Sequence, residues 1–392
     1  MPKIIRITTV PNSLLILLKG QLAFMSRYYD IVGVSSGTDF LKEVNAREGI
    51  RVIEVEMTRS ISPFNDIIAL WRLVVILKRE KPDIVHTHTP KAGILGMLAA
   101  LICRIPVRMH TVAGLPLTES HGLTRIVLEI VEKLTYWCAT KVYPNSFGLE
   151  DFILRNKYCP PAKIKVIGNG SSNGIDSDYF SMEAVKSADI EEIRQKYDIG
   201  HDNFVFIFLG RLVSDKGINE LVMAFDSIYR NSINVKLILV GYEENELDPL
   251  NKETLTILHS HPAIIITGYQ PDVRPFIALS SVLTFPSYRE GLPNVPMQAC
   301  SMGVPCIVTD INGCNEIISN EHNGLLIPVK NTEALQMAME RLLKEKELYL
   351  KLKSNARNSV IERYDQQIIW KKIKEEYDQL LKMTGILKPT YQ

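Results

Sequence analysis

The stretch Phe204-Val-Phe-Ile-Phe-Leu-Gly-Arg-Leu-Val-Ser-Asp-Lys-Gly217 decides the fold. Residues 204–209 are an unbroken apolar run, too short for a helix of its own and apolar on both sides of a pleat. They read as a strand buried on both faces, the hallmark of a parallel sheet covered by helices. Gly210 and Gly217 bracket a polar loop, after which the chain opens into helical spacing. Strand, glycine-bounded loop and helix make half of a βαβ unit.

The same alternation extends in both directions. Downstream, strands are expected at 235–240, 263–267, 282–286, 305–309 and 324–328, with helix over most of Thr332 to Met383. Upstream, strands are expected at 3–10, 30–35, 50–56, 83–88, 107–111, 141–144 and 164–167. Helices are expected between them at 13–27, 64–80, 91–103, 123–138 and 146–156. The pattern predicts an α/β protein of two Rossmann-like, doubly wound domains facing across a cleft. The first domain spans 1–178 and is completed by a terminal helix at about 372–392; the second spans 179–371. The charged, mixed residues 177–200 read as an inter-domain linker. Ligands of open α/β sheets sit at the carboxyl ends of the strands, so the chemistry belongs on the loops that follow them.

Bulk properties narrow the choices. A chain of 392 residues exceeds one ordinary core. Its formal charge of +1 supplies no basic field for nucleic acid. Six cysteines without a C-x-x-C pair suggest buried thiols in a reducing cytosol, and no metal site is expected. The chain shows no signal-peptide pattern, and its longest apolar run, Ala92 to Cys103, is shorter than the roughly 20 residues of a membrane span. The expected place is the cytoplasm, with peripheral contact to the inner face of the membrane at most.

Three loops of the second half carry candidate chemistry. Arg211 and Lys216 put two cations at the carboxyl end of the strand 204–209, which suits a diphosphate. Thr267-Gly268-Tyr269-Gln270 allows close backbone approach at Gly268 and offers Tyr269 to a base. Tyr288-Arg-Glu-Gly-Leu-Pro-Asn-Val-Pro-Met-Gln298 combines Glu290, Gly291, Leu292 and Pro293 with a helix start, for which Asn294 is the expected N-cap. Gln298 falls one turn inside that helix.

In order, Gly210-Arg211, Lys216-Gly217, Gly268-Tyr269 and Pro286-Ser-x-x-Glu290-Gly-x-Pro293 resemble the retaining glycosyltransferases of family 4, which have the GT-B fold. Gly303-Val-Pro305, Asp310, Asn323-Gly324 and Pro328 fit the same pattern, and His86-Thr-His-Thr-Pro-Lys-Ala-Gly93 resembles the bacterial capsule and O-antigen branch. The resemblance implies that Arg211 and Lys216 hold the diphosphate of a nucleotide sugar, most often a UDP-sugar. It implies that Glu290 contacts the donor sugar and that Leu292 to Asn294 approach the donor, although Pro293 has no N–H to offer. No cofactor or metal is then required. Relatives carry a glutamate where Gln298 stands, and a histidine where Ala113 stands. The acceptor implied is a saccharide on undecaprenyl diphosphate.

On the acceptor side, His86 and His88 share one side of a strand by its period of two, with Lys91 at the next helix start. They read as cleft-lining residues, as a structural pair or, least well, as metal ligands. Ser13 to Arg27 and Trp71 to Arg79 mix apolar and basic residues, which suits either a core helix or contact with an anionic bilayer. Two other functions fit the architecture: a UDP-sugar 2-epimerase and a non-catalytic sugar-nucleotide scaffold. An NAD-dependent dehydrogenase is disfavoured, because no G-x-G-x-x-G follows the first strand.

Overall fold

The structure, a computed structural model, describes residues 1–58, 62–115, 117, 122–244 and 248–387. Its contacts divide the chain into two compact units, Met1–Gly174 with Gln366–Gln392, and Ile175–Asp365. Unit 1 holds β1 (Lys3–Ile7), β2 (Asp30–Ser35), β3 (Arg51–Glu54), β4 (Ile84–His88), β5 (Val107–Val112) and β6 (Lys141–Pro144). Unit 2 holds β7 (Phe204–Leu209), β8 (Val235–Val240), β9 (Ile264–Gly268), β10 (Val282–Phe285), β11 (Cys306–Thr309) and β12 (Gly324–Ile327).

Each set forms one six-stranded sheet, in the orders β3-β2-β1-β4-β5-β6 and β12-β11-β10-β7-β8-β9. Every strand pairing within them is parallel. Numbered from its own first strand, unit 2 repeats the order of unit 1. This is the dinucleotide-fold winding, and it reverses direction between β1 and β4 in one unit and between β7 and β10 in the other. The apolar run that suggested β7 is buried from Val205 to Leu209, because helices cover both faces of its sheet.

The terminal helix Gln366–Met383 belongs to unit 1. Ile369, Trp370, Ile373, Tyr377, Leu380 and Leu381 repeat at three- and four-residue intervals and are buried against the first half of the chain. Burial of such side chains is worth about 1.5–3 kcal/mol each. Unit 1 is therefore built from both ends of the sequence.

Three local expectations change. The helix expected at 13–27 is two short pieces, Ser13–Leu17 and Gln21–Met25, separated by Gly20 at φ 77°. A Cβ on Gly20 would lie 2.8 Å from the Trp370 ring, so the break makes room for the terminal helix. Leu14, Leu15, Leu18, Leu22 and Met25 are core residues there, so this segment is no membrane face. The strand expected at 164–167 reduces to a single bridge between Ile164 and Val142. The linker expected over 177–200 contains the helix Ser187–Lys196, and its Ile193, with Ile199, packs into the core of unit 2.

Candidate active site

In unit 2, Arg211, Lys216 and the loop of Glu290 gather at the reversal between β7 and β10, whereas Gly268 and Tyr269 follow β9, two strands from β7. After β7 the chain turns through Gly210 and a 3-10 turn, Ser214–Lys216, before the helix Ile218–Tyr229. After β10 comes the loop of Glu290, and then the helix Asn294–Ser301. The two loops touch at backbone level: Gly217, at φ 72°, has no room for a Cβ, which would sit 2.2 Å from the Pro286 carbonyl oxygen. That approach places the Lys216 ammonium 2.6 Å from Glu290 Oε1. Their side chains are 19% and 16% exposed, half-sheltered yet open to a ligand. Lys216 also reaches Ser287 Oγ at 3.4 Å and lies 5.9 Å from the centre of the Phe285 ring.

A third loop, after β11, braces Glu290 from behind. Asn312 Nδ2 donates to the carbonyls of Glu290 and Gly291, at 3.0 Å each. Gly313 admits the Gly291 carbonyl where a Cβ would lie 2.0 Å away. Thr309 donates its hydroxyl to the Ser287 carbonyl. Asp310 is exposed and accepts from Asn315 at 2.8 Å.

Arg211 is exposed at the same edge and paired with Glu244 at 2.5 Å. That partner raises its already high pKa, so the guanidinium is always charged. Asp215 binds Arg289 at 2.6 Å, and its amide donates to Asp248 at 2.6 Å. Burial is the main cause that pushes the Asp215 carboxyl above its usual range. The Tyr288 hydroxyl donates to both oxygens of Glu220 at 2.8 Å, which fixes the base of the loop.

Asn294 is the first residue of its helix and exposed, so it is not the N-cap; Pro293 occupies that position and is buried. Proline's fixed φ suits the entry, and its missing N–H costs nothing there. Gln298 is half-buried in the helix, with no hydrogen bond to its side-chain amide among the described residues. Leu292 is buried against the core of unit 2. Gly268 has φ 70° and accepts at its carbonyl from Gly241 N at 3.0 Å. The exposed rings of Tyr269 and Tyr242, on neighbouring loops, are 6.4 Å apart.

In unit 1, His86 and His88 end β4 and are 1% exposed each. His86 bonds the Tyr377 hydroxyl at 2.6 Å and the Thr111 hydroxyl at 2.7 Å. His88 Nε2 accepts from the fully buried Arg6 at 2.8 and 3.1 Å, so its proton sits on Nδ1. Arg6 also donates to Tyr377 and Gln21, at 2.8 and 2.7 Å. Burial first, then neighbouring cations, drive both histidines well below the usual imidazole range, so they are neutral. Their geometry is that of a structural pair tying β4 to the terminal helix. Lys91 is held by Asp66 at 2.6 and 2.7 Å. Beside it, Thr89 adopts φ 74°, rare for a β-branched residue, and bonds Thr9 Oγ1 at 2.7 Å across the reversal of the unit 1 sheet. No cluster of three or more His, Cys, Asp or Glu that could hold a metal occurs among the described residues.

Sequence reading did not single out Glu244, Asp215, Asn312 or Thr89. An acidic pair after β8 was visible at Glu243-Glu244, but its closeness to Arg211 depends on the order of the strands.

Residues 189–359 match the family described as Glycosyl transferases group 1, and residues 31–170 the Glycosyl transferase 4-like domain. The chain is 33% identical over 382 residues to the capsular polysaccharide biosynthesis glycosyltransferase CapM of Staphylococcus aureus, covering 97% of this chain and 98% of that one. It is 30% identical over 323 residues to the Escherichia coli UDP-Gal:alpha-D-GlcNAc-diphosphoundecaprenol alpha-1,3-galactosyltransferase, covering 82% and 81% of the two. Among solved structures, Anabaena Alr3699/HepE in complex with UDP superimposes with a TM-score of 0.78 at 20% identity, over 96% of this chain and 100% of that one. This last likeness is one of fold, GT-B.

Proposed function

The chain belongs to the group 1 glycosyltransferases, family 4, a retaining family, and from that premise we propose that it moves a hexose or N-acetylhexosamine from a UDP-sugar to a saccharide on undecaprenyl diphosphate during surface-polysaccharide synthesis. The observation that carries the reading is the Lys216–Glu290 pair at the reversal of the unit 2 sheet. A cation and an acid on adjacent loops there suit a diphosphate and the hydroxyls of the sugar attached to it. The names of the relatives, one using UDP-galactose and a diphosphoundecaprenol acceptor, support the substrate classes.

In this reading the diphosphate draws Lys216 from Glu290 and Arg211 from Glu244. Both cations then stabilise the departing UDP, so no metal is required for that task. Glu290, freed, accepts hydrogen bonds from the donor sugar, and the backbone N–H groups of Gly291, Leu292 and Asn294 line its approach. Gln298 bonds the ribose without charge, and Tyr269, beside Gly268, lies along the base. The buried Ser287 hydroxyl is spent on the Arg289 carbonyl, and burial holds the Cys314 thiol well above its usual range, so neither is an activated nucleophile and the reading takes attack by the acceptor on the same face. The leaving phosphate then takes the acceptor proton. In unit 1, Lys91 is the candidate for acceptor phosphate, while His86 and His88 act through the strand they brace. A lipid-linked acceptor also implies work at the inner face of the cytoplasmic membrane.

A thermal-shift series with UDP-, GDP- and dTDP-sugars tests the donor, since only a bound ligand raises the melting temperature. Transfer of labelled sugar to a polyprenyl-diphosphate saccharide tests the reaction. Lys216→Ala and Glu290→Gln should each lower kcat by roughly 10²–10³-fold. Unchanged turnover in both would sink the assignment. Change of UDP-N-acetylglucosamine without any acceptor would support the epimerase instead.

A further inference from the structure

The helix Gly122–Cys138 is amphipathic in the wrong sense for a protein core. Its buried positions are Glu132, Thr135, Tyr136 and Cys138. Its apolar stripe, Leu123, Ile126, Val127, Ile130, Leu134 and Trp137, is exposed. The spacing of three and four residues puts all six on one side. The helix Pro63–Glu80 buries Ala69, Leu73 and Leu77, yet it exposes a second apolar stripe of Phe64, Ile67, Ile68, Trp71 and Val75. These two helices carry 11 of the 24 exposed large hydrophobic residues among the described ones, so the apolar surface is concentrated, not scattered. Both pack against the helix Pro90–Ile102, whose Ile94, Leu98 and Leu101 are themselves partly exposed between them.

Trp71 and Trp137, two of the three tryptophans in the chain, are 66% and 65% exposed. Tryptophan favours the boundary between water and lipid headgroups. The charges beside the stripes are one-sided. Asp66, Glu80 and Glu129 are engaged by Lys91, by Lys3 and Arg51, and by Arg125. Arg72, Lys78, Arg79, Lys81 and Lys133 are exposed. No helix among the described residues is long and apolar enough to cross a bilayer.

We propose that the outer faces of helices 63–80 and 122–138 are a docking surface for an anionic phospholipid bilayer, on which unit 1 lies without spanning it. The apolar stripes enter the headgroup boundary, and the cations meet anionic lipid at its surface. A second copy of the chain fits less well. A two-fold contact through this patch would set the same cations against one another. The inference rests on the lipid-linked acceptor reading for its purpose, but not for its test.

The test uses the full chain, without donor or acceptor, and vesicles of phosphatidylcholine with or without phosphatidylglycerol. The expected result is sedimentation with the anionic vesicles, weakened by salt, and a blue shift of tryptophan fluorescence. Ile126→Glu with Ile130→Glu, and separately Trp71→Glu, should reduce partitioning by roughly tenfold or more. Calorimetry of both variants should keep the melting transition of unit 1, which shows that the substituted unit is folded. Absence of vesicle binding, or binding that the variants leave intact, overturns the proposal. So does a lipid-free dimer that these variants dissociate, since that outcome assigns the face to a second copy. Loss of vesicle binding with retained turnover on a detergent-dispersed acceptor would separate this surface from the reaction itself.

Discussion

Arg211 and Lys216 are neutralised by different partners, and the difference matters for binding. Lys216 pairs with Glu290, and in the proposed reaction the one meets the diphosphate and the other the donor sugar, so that reading engages both members of the pair. Arg211 pairs with Glu244 at 2.5 Å, and Glu244 has no role in the proposed chemistry. It competes with the diphosphate for the guanidinium. Glu244→Gln should therefore lower the Kd for UDP by roughly two- to fivefold, the range expected for a largely exposed ion pair. Titration calorimetry reads this directly, and weaker binding would show that Glu244 itself serves the donor. At this scale the sequence was informative where a residue type is chemically forced, as with Lys216 and Glu290. It was silent where a neighbour matters, as with Glu244 and Asn312.

Among the elements, the helix 122–138 shows what its inverted pattern costs. Glu132 is buried, and that burial pushes its carboxyl up from 4.5 to about 7, while Tyr136 gives a smaller opposite pull. A folded-state pKa raised in this way means stability that is fully present below 4.5 and lost as pH rises through about 7. Glu132→Gln mimics the neutral form. It should match the wild type near pH 4.5 and be more stable at about pH 8, by an amount on the order of 3 kcal/mol. Denaturant melts at the two pH values check the sign, and an equal effect at both would contradict the burial argument. The helix was legible in the sequence to within a residue, but which side of it faces the protein was not. Periodicity marks an apolar stripe and does not say what covers it.

For the whole molecule, the decisive feature is that unit 1 closes only with the last helix. Tyr377 accepts from Arg6 and bonds His86, and Trp370 fills the space left open at Gly20. Ending the chain after Asp365 would leave the buried Arg6 without one of its acceptors and expose the apolar face of residues 369–381. We expect the shortened chain to lose the melting transition of unit 1 and to keep a transition that UDP still raises, because Ile175–Asp365 is compact by itself. Calorimetry with and without UDP tests this; two intact transitions would show that the helix is dispensable.

By itself the sequence determined the parallel sheets, the loops that follow β7 and β10, and the residues that carry charge there. Those are local consequences of apolar runs, glycines and residue chemistry, and each is complete within a short stretch of chain. It could not determine that Pro293 rather than Asn294 would precede the helix, that residues 187–196 would join a core, or that His86 and His88 would be buried, the one bonded to Tyr377 and the other to Arg6. Only the tertiary structure decided these, because burial and pairing depend on segments far apart in the chain. The same reason explains the exposed stripe of helix 122–138. Its apolar pattern was written in the sequence, and the packing of the sheet and its neighbouring helices turned it outward.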